Sequence, residues 1–464
     1  MQNTPHIIII GGGLAGIACA TALAAHPLRI TLIESRSSLG GRASSFIDPD
    51  SGEEIDNCQH VLVGCCTNLL DLYKRLNVSD KIAWSNAIHF LDPHGRQHNL
   101  KSTPGLPAPL QFAPAFATYG LFTLKEKIAV NRAMRAALSI GKSGREKLTD
   151  LPFGEWLDQH NQPASLIPKY YEPILLGALN ENIRAASTKY ALQVFQDAML
   201  AHRRGALFGV ATCPLSQLYK NLPANITVQL NTRADEILFD ANRATGIKLR
   251  DGRTLFADAV VLATNHHAVQ RWIPAQLAAT DSRFAGLSQI NAAPILGTHL
   301  VFDRPVMHQS HVALIAGPLQ WLFKKDPDGR VLAGVISAAQ KWVEVPREKA
   351  LQEFVAHIKQ MFPAARDANL LRGTTVIERR ATISPVPGID KLRPQQSPPA
   401  GGLSNLYLAG DYTQTHWPST MEGAVRAGYL AAEALLQQLN ATPTRLLIPD
   451  LPIEWPARLL GLAK

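Results

Sequence analysis

Residues 7–10 are four isoleucines with no polar position between them. Such a run predicts a strand buried on both faces of a parallel sheet, since a half-exposed strand alternates apolar and polar residues. Residues 14–25 are rich in alanine and leucine and predict a helix. Residues 28–33 predict a second buried strand. Alternation returns at 226–230, 234–239 and 245–249, with a hairpin signal at Asp251-Gly252 and a buried strand at 259–264. Helical patterns occupy 124–141, 151–160 and 165–179. Strand-like runs occupy 295–302, 312–316 and 331–336, with a helix near 347–361. Met421 opens a last long helix to about residue 436.

This order predicts an α/β chain: a Rossmann-like two-dinucleotide domain with an inserted α+β substrate domain and a helical cap. The first domain is expected to be discontinuous, from residues 1–90, 205–275 and 371–440. The substrate and cap domain takes 91–204, which begins with a proline-rich loop, and 276–370. Residues 441–464 form a tail with four prolines, in which Arg458 and Lys464 flank an apolar turn.

Gly11, Gly13 and Gly16 stand between the first strand and helix as G-x-G-x-x-G. The first allows a tight turn, the second admits a diphosphate to the backbone, and the third lets the helix pack on the strand. The amides of the helix start, at Leu14 and Ala15, face the same anion. Glu34 ends the second strand, where a carboxylate accepts from both hydroxyls of an adenosine ribose and repels a 2′-phosphate. Gly40-Gly41-Arg42 adds further amides and a guanidinium for the diphosphate.

Composition removes several classes. Hydrophobic residues make up 46% and charged residues 18% of 464, as in a globular chain. No stretch nears roughly 20 apolar residues, so no spanning helix is expected. No basic, cleavable leader precedes the first strand, so a cytoplasmic location is expected. The net charge of +9 accompanies no nucleic-acid motif. Five cysteines lack a metal spacing, which predicts free thiols and no metal site.

Together with Leu408-Ala409-Gly410-Asp411, these motifs resemble the flavin amine oxidase and phytoene desaturase superfamily. The resemblance implies FAD. It implies that Gly410 and Asp411 meet the ribityl chain, that the helix opened by Met421 and Ala424 points its N-terminus at the isoalloxazine, and that Ala234 offers its backbone to the adenine. Four narrower stretches, at 56–65, 171–180, 210–216 and 418–425, resemble the hydroxysqualene dehydroxylases of hopanoid biosynthesis. Two positions depart: Cys58 stands where that family has glycine, and Ser419 where it has alanine.

The narrower resemblance implies reduction of hydroxysqualene to squalene, with the hydroxyl lost as water and hydride delivered from reduced flavin. Gln59 and His60 are the candidate catalytic residues, His60 as an acid for the leaving hydroxyl. Tyr171, Asn180 and Trp417 are candidate substrate contacts, and cap aromatics such as Tyr119, Phe122, Trp156 and Tyr170 are candidates to line an apolar channel for a C30 isoprenoid. A membrane-borne substrate implies peripheral contact with the inner face of the cytoplasmic membrane, through 112–138 and the tail. An external electron donor, unidentified, and upstream enzymes of squalene synthesis are the implied partners. A carotenoid-type desaturase, an amine oxidase and a non-catalytic flavin or prenyl-lipid binder remain alternatives.

Overall fold

The computed structural model describes residues 4–439 and 445–463. Five strands form a parallel sheet: β1 (His6–Ile10), β2 (Arg29–Ile33), β3 (Ile226–Gln229), β4 (Ala259–Leu262) and β5 (Leu406–Leu408). Their order is β3-β2-β1-β4-β5. β1 is central, and all its residues are buried, as an uninterrupted isoleucine run requires. The sheet thus draws on strands from three distant parts of the chain.

Helix α1 (Leu14–Leu23) follows the glycine turn, and α2 (Met421–Gln438) packs directly on it. Gly428 makes this contact possible. A Cβ there would lie 2.2 Å from the Ala15 carbonyl oxygen and 3.0 Å from the Cys19 nitrogen. The two ends of the chain are therefore joined backbone to backbone. A small antiparallel sheet, Ala234–Asp240 with Arg243–Leu249 and Thr254–Phe256, contains the Asp251-Gly252 turn.

A second sheet has seven strands, in the order Leu370–Ile383, Ala292–Phe302, Val331–Ser337, Trp321–Lys324, His311–Leu314, Ala87–Leu91 and Gln97–Lys101. It corrects two expected boundaries. Leu370–Ile383 pairs along Ala292–Phe302, so 371–383 belongs with the second sheet and not with the cofactor unit. Ala87–Leu91 likewise pairs with His311–Leu314. Leu370–Ile383 escapes sequence reading because it is an edge strand of mostly half-buried positions, with no clear apolar alternation to mark it.

The cap is helical. Leu124–Lys147 starts with a capping box between Thr123 and Glu126 and kinks at Gly141, where φ is 71°. Phe153–Gln159, Glu172–Leu179 and Thr188–Val194 follow, with π-helical turns at Ile167–Tyr171 and Phe195–Leu200. The cap aromatics pack on one another. Tyr119 meets Phe122 at 4.8 Å, Phe122 meets Tyr170 at 5.8 Å, and Tyr171 meets Phe153 at 5.8 Å, each edge to face. In this arrangement they form core and do not line an open channel. The tail carries a short helix, Trp455–Leu459; Lys464 lies outside the described residues.

Gly428→Val places a branched side chain against backbone that has nowhere to move. It is expected to lower stability by about 1–3 kcal/mol in urea unfolding and to reduce the flavin content of the purified protein.

Candidate flavin site

Gly11 adopts φ of +112°, and a Cβ there would lie 2.4 Å from the Ala263 carbonyl oxygen. A Cβ on Gly16 would lie 1.9 Å from the Gly11 oxygen, so α1 can start this close to β1 only with glycine at 16. Over Gly13 the nearest atom to such a Cβ is the Gly41 Cα, at 4.0 Å. Gly13 is the N-cap and has no side chain to bond the first-turn amides of Leu14, Ala15 and Gly16. The Gly40-Gly41 turn faces this space, and its Gly40 amide donates to Gly12 O at 2.8 Å. Two glycine turns and one helix end thus form a cradle for an anion.

Glu34 borders the cradle. It accepts from the Gly12 amide at 2.8 Å and from the Arg36 amide at 2.8 Å. The Thr232 amide donates to the Glu34 carbonyl at 2.9 Å, which brings the start of the Ala234–Asp240 strand alongside. Ala234 is buried there, two residues from that bond.

Asp411 lies at the other end, after β5 and Gly410. Arg42 Nη2 meets its Oδ1 at 2.5 Å, while Arg42 Nη1 donates to the Ala381 carbonyl at 2.6 Å. Ser419 donates to the other carboxylate oxygen and accepts from the Ile383 amide. Burial alone would raise the Asp411 carboxyl. The charge and hydrogen bond of Arg42, with the Ser419 hydroxyl, outweigh it and hold the group below the usual carboxylate range. Ser419, one of the two departures, is thus bonded to Asp411, a candidate cofactor residue.

Arg393 was not singled out from the sequence. It is buried and donates to the carbonyls of Asp411, Thr413 and Trp417 and to the Tyr190 hydroxyl, so it shapes the whole 411–417 loop. A lone arginine in a proline-rich stretch gives no periodic or motif signal. Glu422 is similar. In the first turn of α2 it accepts from the Asn68 and Leu69 amides and from Arg426, tying α2 to the Thr67–Arg75 helix. Met421 and Ala424, in the same turn, are half-buried.

These residues fit a flavin dinucleotide. Amide donors occupy the middle, and a carboxylate stands at each end. Thr264, whose methyl lies by Gly11 and whose carbonyl lies by Gly410, has a buried hydroxyl without a partner. A small cleft, lined by Arg42, Asp411, Tyr412, His266 and Thr382 among others, opens here.

Gln59 and His60 lie between the second sheet and the loop of Arg42, whose carbonyl accepts from Asn57. Gln59 accepts from Lys325 Nζ at 3.0 Å, and Lys325 also meets Asp56 at 3.1 Å. Asp56 accepts from the Ser45 hydroxyl and the Leu215 amide, a structural role. His60 Nδ1 lies 2.8 Å from the Cys58 carbonyl, which only accepts, so the proton sits on Nδ1 and Nε2 keeps its lone pair. Burial pushes the imidazole below its usual range. The lowered pKa favours the neutral ring near pH 7, one of the two forms in which it was expected to act. Cys58 is inert: burial pushes its thiol up to about 12. Its sulfur packs against Gly297, where a Cβ would lie 3.0 Å from it, so the larger residue at 58 sits against glycine at 297.

The candidate substrate contacts are all engaged within the protein. The Tyr171 hydroxyl donates to Gln162 at 2.8 Å inside the aromatic cluster. Asn180, in the left-handed region, bonds Ala293 O, Thr382 Oγ1 and the Ala338 amide, strapping the cap to the second sheet. The Trp417 ring lies under Arg426, 4.3 Å from its guanidinium carbon. All five cysteines are free, and no group of potential metal ligands occurs among the described residues.

A family model for flavin containing amine oxidoreductase matches residues 14–436. The chain belongs to that family, is an oxidoreductase, and uses FAD. Among curated proteins it is similar to the 15-cis-phytoene desaturase of Synechococcus elongatus, at 27% identity over 95% of this chain and 97% of the relative. It is also similar to a probable zeta-carotene desaturase of the same organism, at 26% identity over 93% and 98%. Among solved structures, a putative protoporphyrinogen oxidase from Exiguobacterium sp. 255-15 aligns with TM-score 0.66 and 20% identity, covering 94% of this chain and all of that one. Cyclohexylamine oxidase from Brevibacterium oxydans aligns with TM-score 0.67 and 19% identity over the same shares. These structural likenesses show the fold.

Asp411→Asn removes the charge that holds Arg42. Equilibrium dialysis is expected to show FAD binding weakened by roughly 10–100-fold. The folded-state pKa of Asp411 is depressed, so its contribution to stability is complete above the unfolded value near ~3.9 and is lost as pH falls through the folded value. Acid unfolding of Asp411→Asn should therefore lack part of the wild-type loss below about pH 4.

Proposed function

We propose that this protein exchanges an electron pair with a long, linear isoprenoid, and that its reaction is the reductive removal of the hydroxyl of hydroxysqualene to give squalene and water. The supporting observation is where the four narrower stretches lie. Asp56 bonds the Leu215 amide, Cys58 packs on Gly297, Asn180 bonds Thr382, and Ser419 bonds Ile383 and Asp411. Three of the stretches thus touch the Ala292–Phe302 or Leu370–Ile383 strand, and the 210–216 stretch joins them through Asp56. FAD, when bound there, supplies a two-electron hydride couple. Arg42, Ser419 and Arg393 hold Asp411 and its loop, and Lys325 and Gln59 fix the segment that carries His60.

Desaturation of a carotenoid precursor is the second reading, and the comparisons favour it: both curated relatives described above are named as desaturases. The neutral His60, with a free lone pair on Nε2, also suits a group that accepts a proton better than one that donates it. Dehydroxylation draws on the local sequence, and desaturation on the relatives and on this tautomer.

Pre-reduced protein is expected to convert hydroxysqualene to squalene without oxygen, with one flavin oxidised per product. If oxidised protein instead turns phytoene into a conjugated polyene while hydroxysqualene is untouched, the second reading replaces the first. Inertness toward both would remove the isoprenoid proposal. His60→Phe is expected to keep its flavin and to lose roughly 10²–10⁴-fold in turnover. Because burial lowers the His60 pKa, any inflection it contributes to the wild-type pH profile should fall below the ordinary imidazole value of about 6.5.

A further inference from the structure

Residues 102–124 contain no charged side chain, and Lys125 and Lys127 follow at once. This run is not a membrane span. Its longest helix is Ala113–Thr118, and no helix among the described residues is long and apolar enough to cross a bilayer. Much of it is nevertheless exposed, including Leu110 at 42%. The adjoining Leu124–Lys147 helix turns Leu124, Ile128, Arg132 and Arg135 to solvent at a spacing of three to four residues, with Leu124 74% and Ile128 52% exposed.

Two contacts bring these segments together. Lys127 Nζ donates to the Ala117 carbonyl at 2.6 Å, which joins the short helix to the long one. The Ala108 amide donates to Glu454, which places the tail helix beside the other end, with Trp455 63% and Leu459 79% exposed. Charge complementarity identifies what covers this face. Between 102 and 145 the only acidic residue is Glu126, and it is buried against Lys169 and Ser165. Apolar side chains beside cations with no free acid suit the boundary between lipid headgroups and acyl chains.

We propose that this face, formed by residues 107–118, the first turns of the Leu124–Lys147 helix and the tail helix, docks on an anionic lipid bilayer. The isoprenoid reading gives it a purpose, since an apolar substrate dissolves in that bilayer, but docking itself needs no substrate. Apolar side chains enter the headgroup boundary while Lys125, Arg132 and Arg135 stay at the phosphates.

The test is flotation of the FAD-loaded full chain with substrate-free vesicles. Phosphatidylcholine vesicles with one third phosphatidylglycerol are compared with phosphatidylcholine alone. The wild type is expected to float with the anionic vesicles and to be released by high salt. K125Q/R132Q/R135Q should bind roughly a hundredfold more weakly, and L124E/I128E should lose binding. Both variants change exposed positions, and unchanged flavin content and circular dichroism verify their fold. Absence of wild-type binding, or undiminished binding by both variants, overturns the proposal. So does a wild-type dimer in solution that L124E/I128E converts to monomer, because the face would then join two copies. Vesicle binding by a protein inert toward every isoprenoid would sink the functional reading and leave this one standing.

Discussion

The ion pair between Arg42 and Asp411 spans 369 positions of sequence. Parallel pairing of β1, β4 and β5 puts the glycine turn after β1 and the acid after β5 at one edge of the sheet, and the close contact of α1 and α2 at Gly428 packs the last long helix onto the first. Asp411 is buried, so its charge persists only because Arg42 and Ser419 compensate for lost water.

The same solution recurs around the site. Arg393 satisfies several carbonyls of the 411–417 loop, and Glu422 satisfies amides at the start of the Thr67–Arg75 helix while pairing with Arg426. Arg426 in turn meets Asp450, which reaches Lys142 just beyond the kink of the long cap helix. Lys142 meets Asp197 in a π-helical turn. These charged groups are paired across segments, so they fix which cap element faces which cofactor loop. The removal of one partner leaves its mate buried and unsatisfied, which costs more than the pair contributes.

His60 shows how local geometry changes a chemical reading. A histidine near an expected flavin invites the role of acid. One carbonyl 2.8 Å from Nδ1, and burial of the ring, make it a neutral group with an accepting nitrogen. The residue was legible as a candidate; its protonation was not, because that depends on what the backbone places beside the ring.

The sequence by itself determined the parallel sheet and the glycine turn after β1, because both rest on local chemistry: an unbroken isoleucine run, glycines at fixed spacing, and an acid at a strand end. It determined the main helices and three of the seven strands of the second sheet by periodicity. It did not reveal Leu370–Ile383, whose mixed edge-strand pattern carries no clear period, nor the strand pairing that assigns 87–91 to the second sheet. Only the tertiary structure decided the partners of Ser419, Arg393, Lys325 and Glu422. Their roles arise from burial beside groups up to hundreds of residues away, and no local pattern encodes which buried charge will meet which.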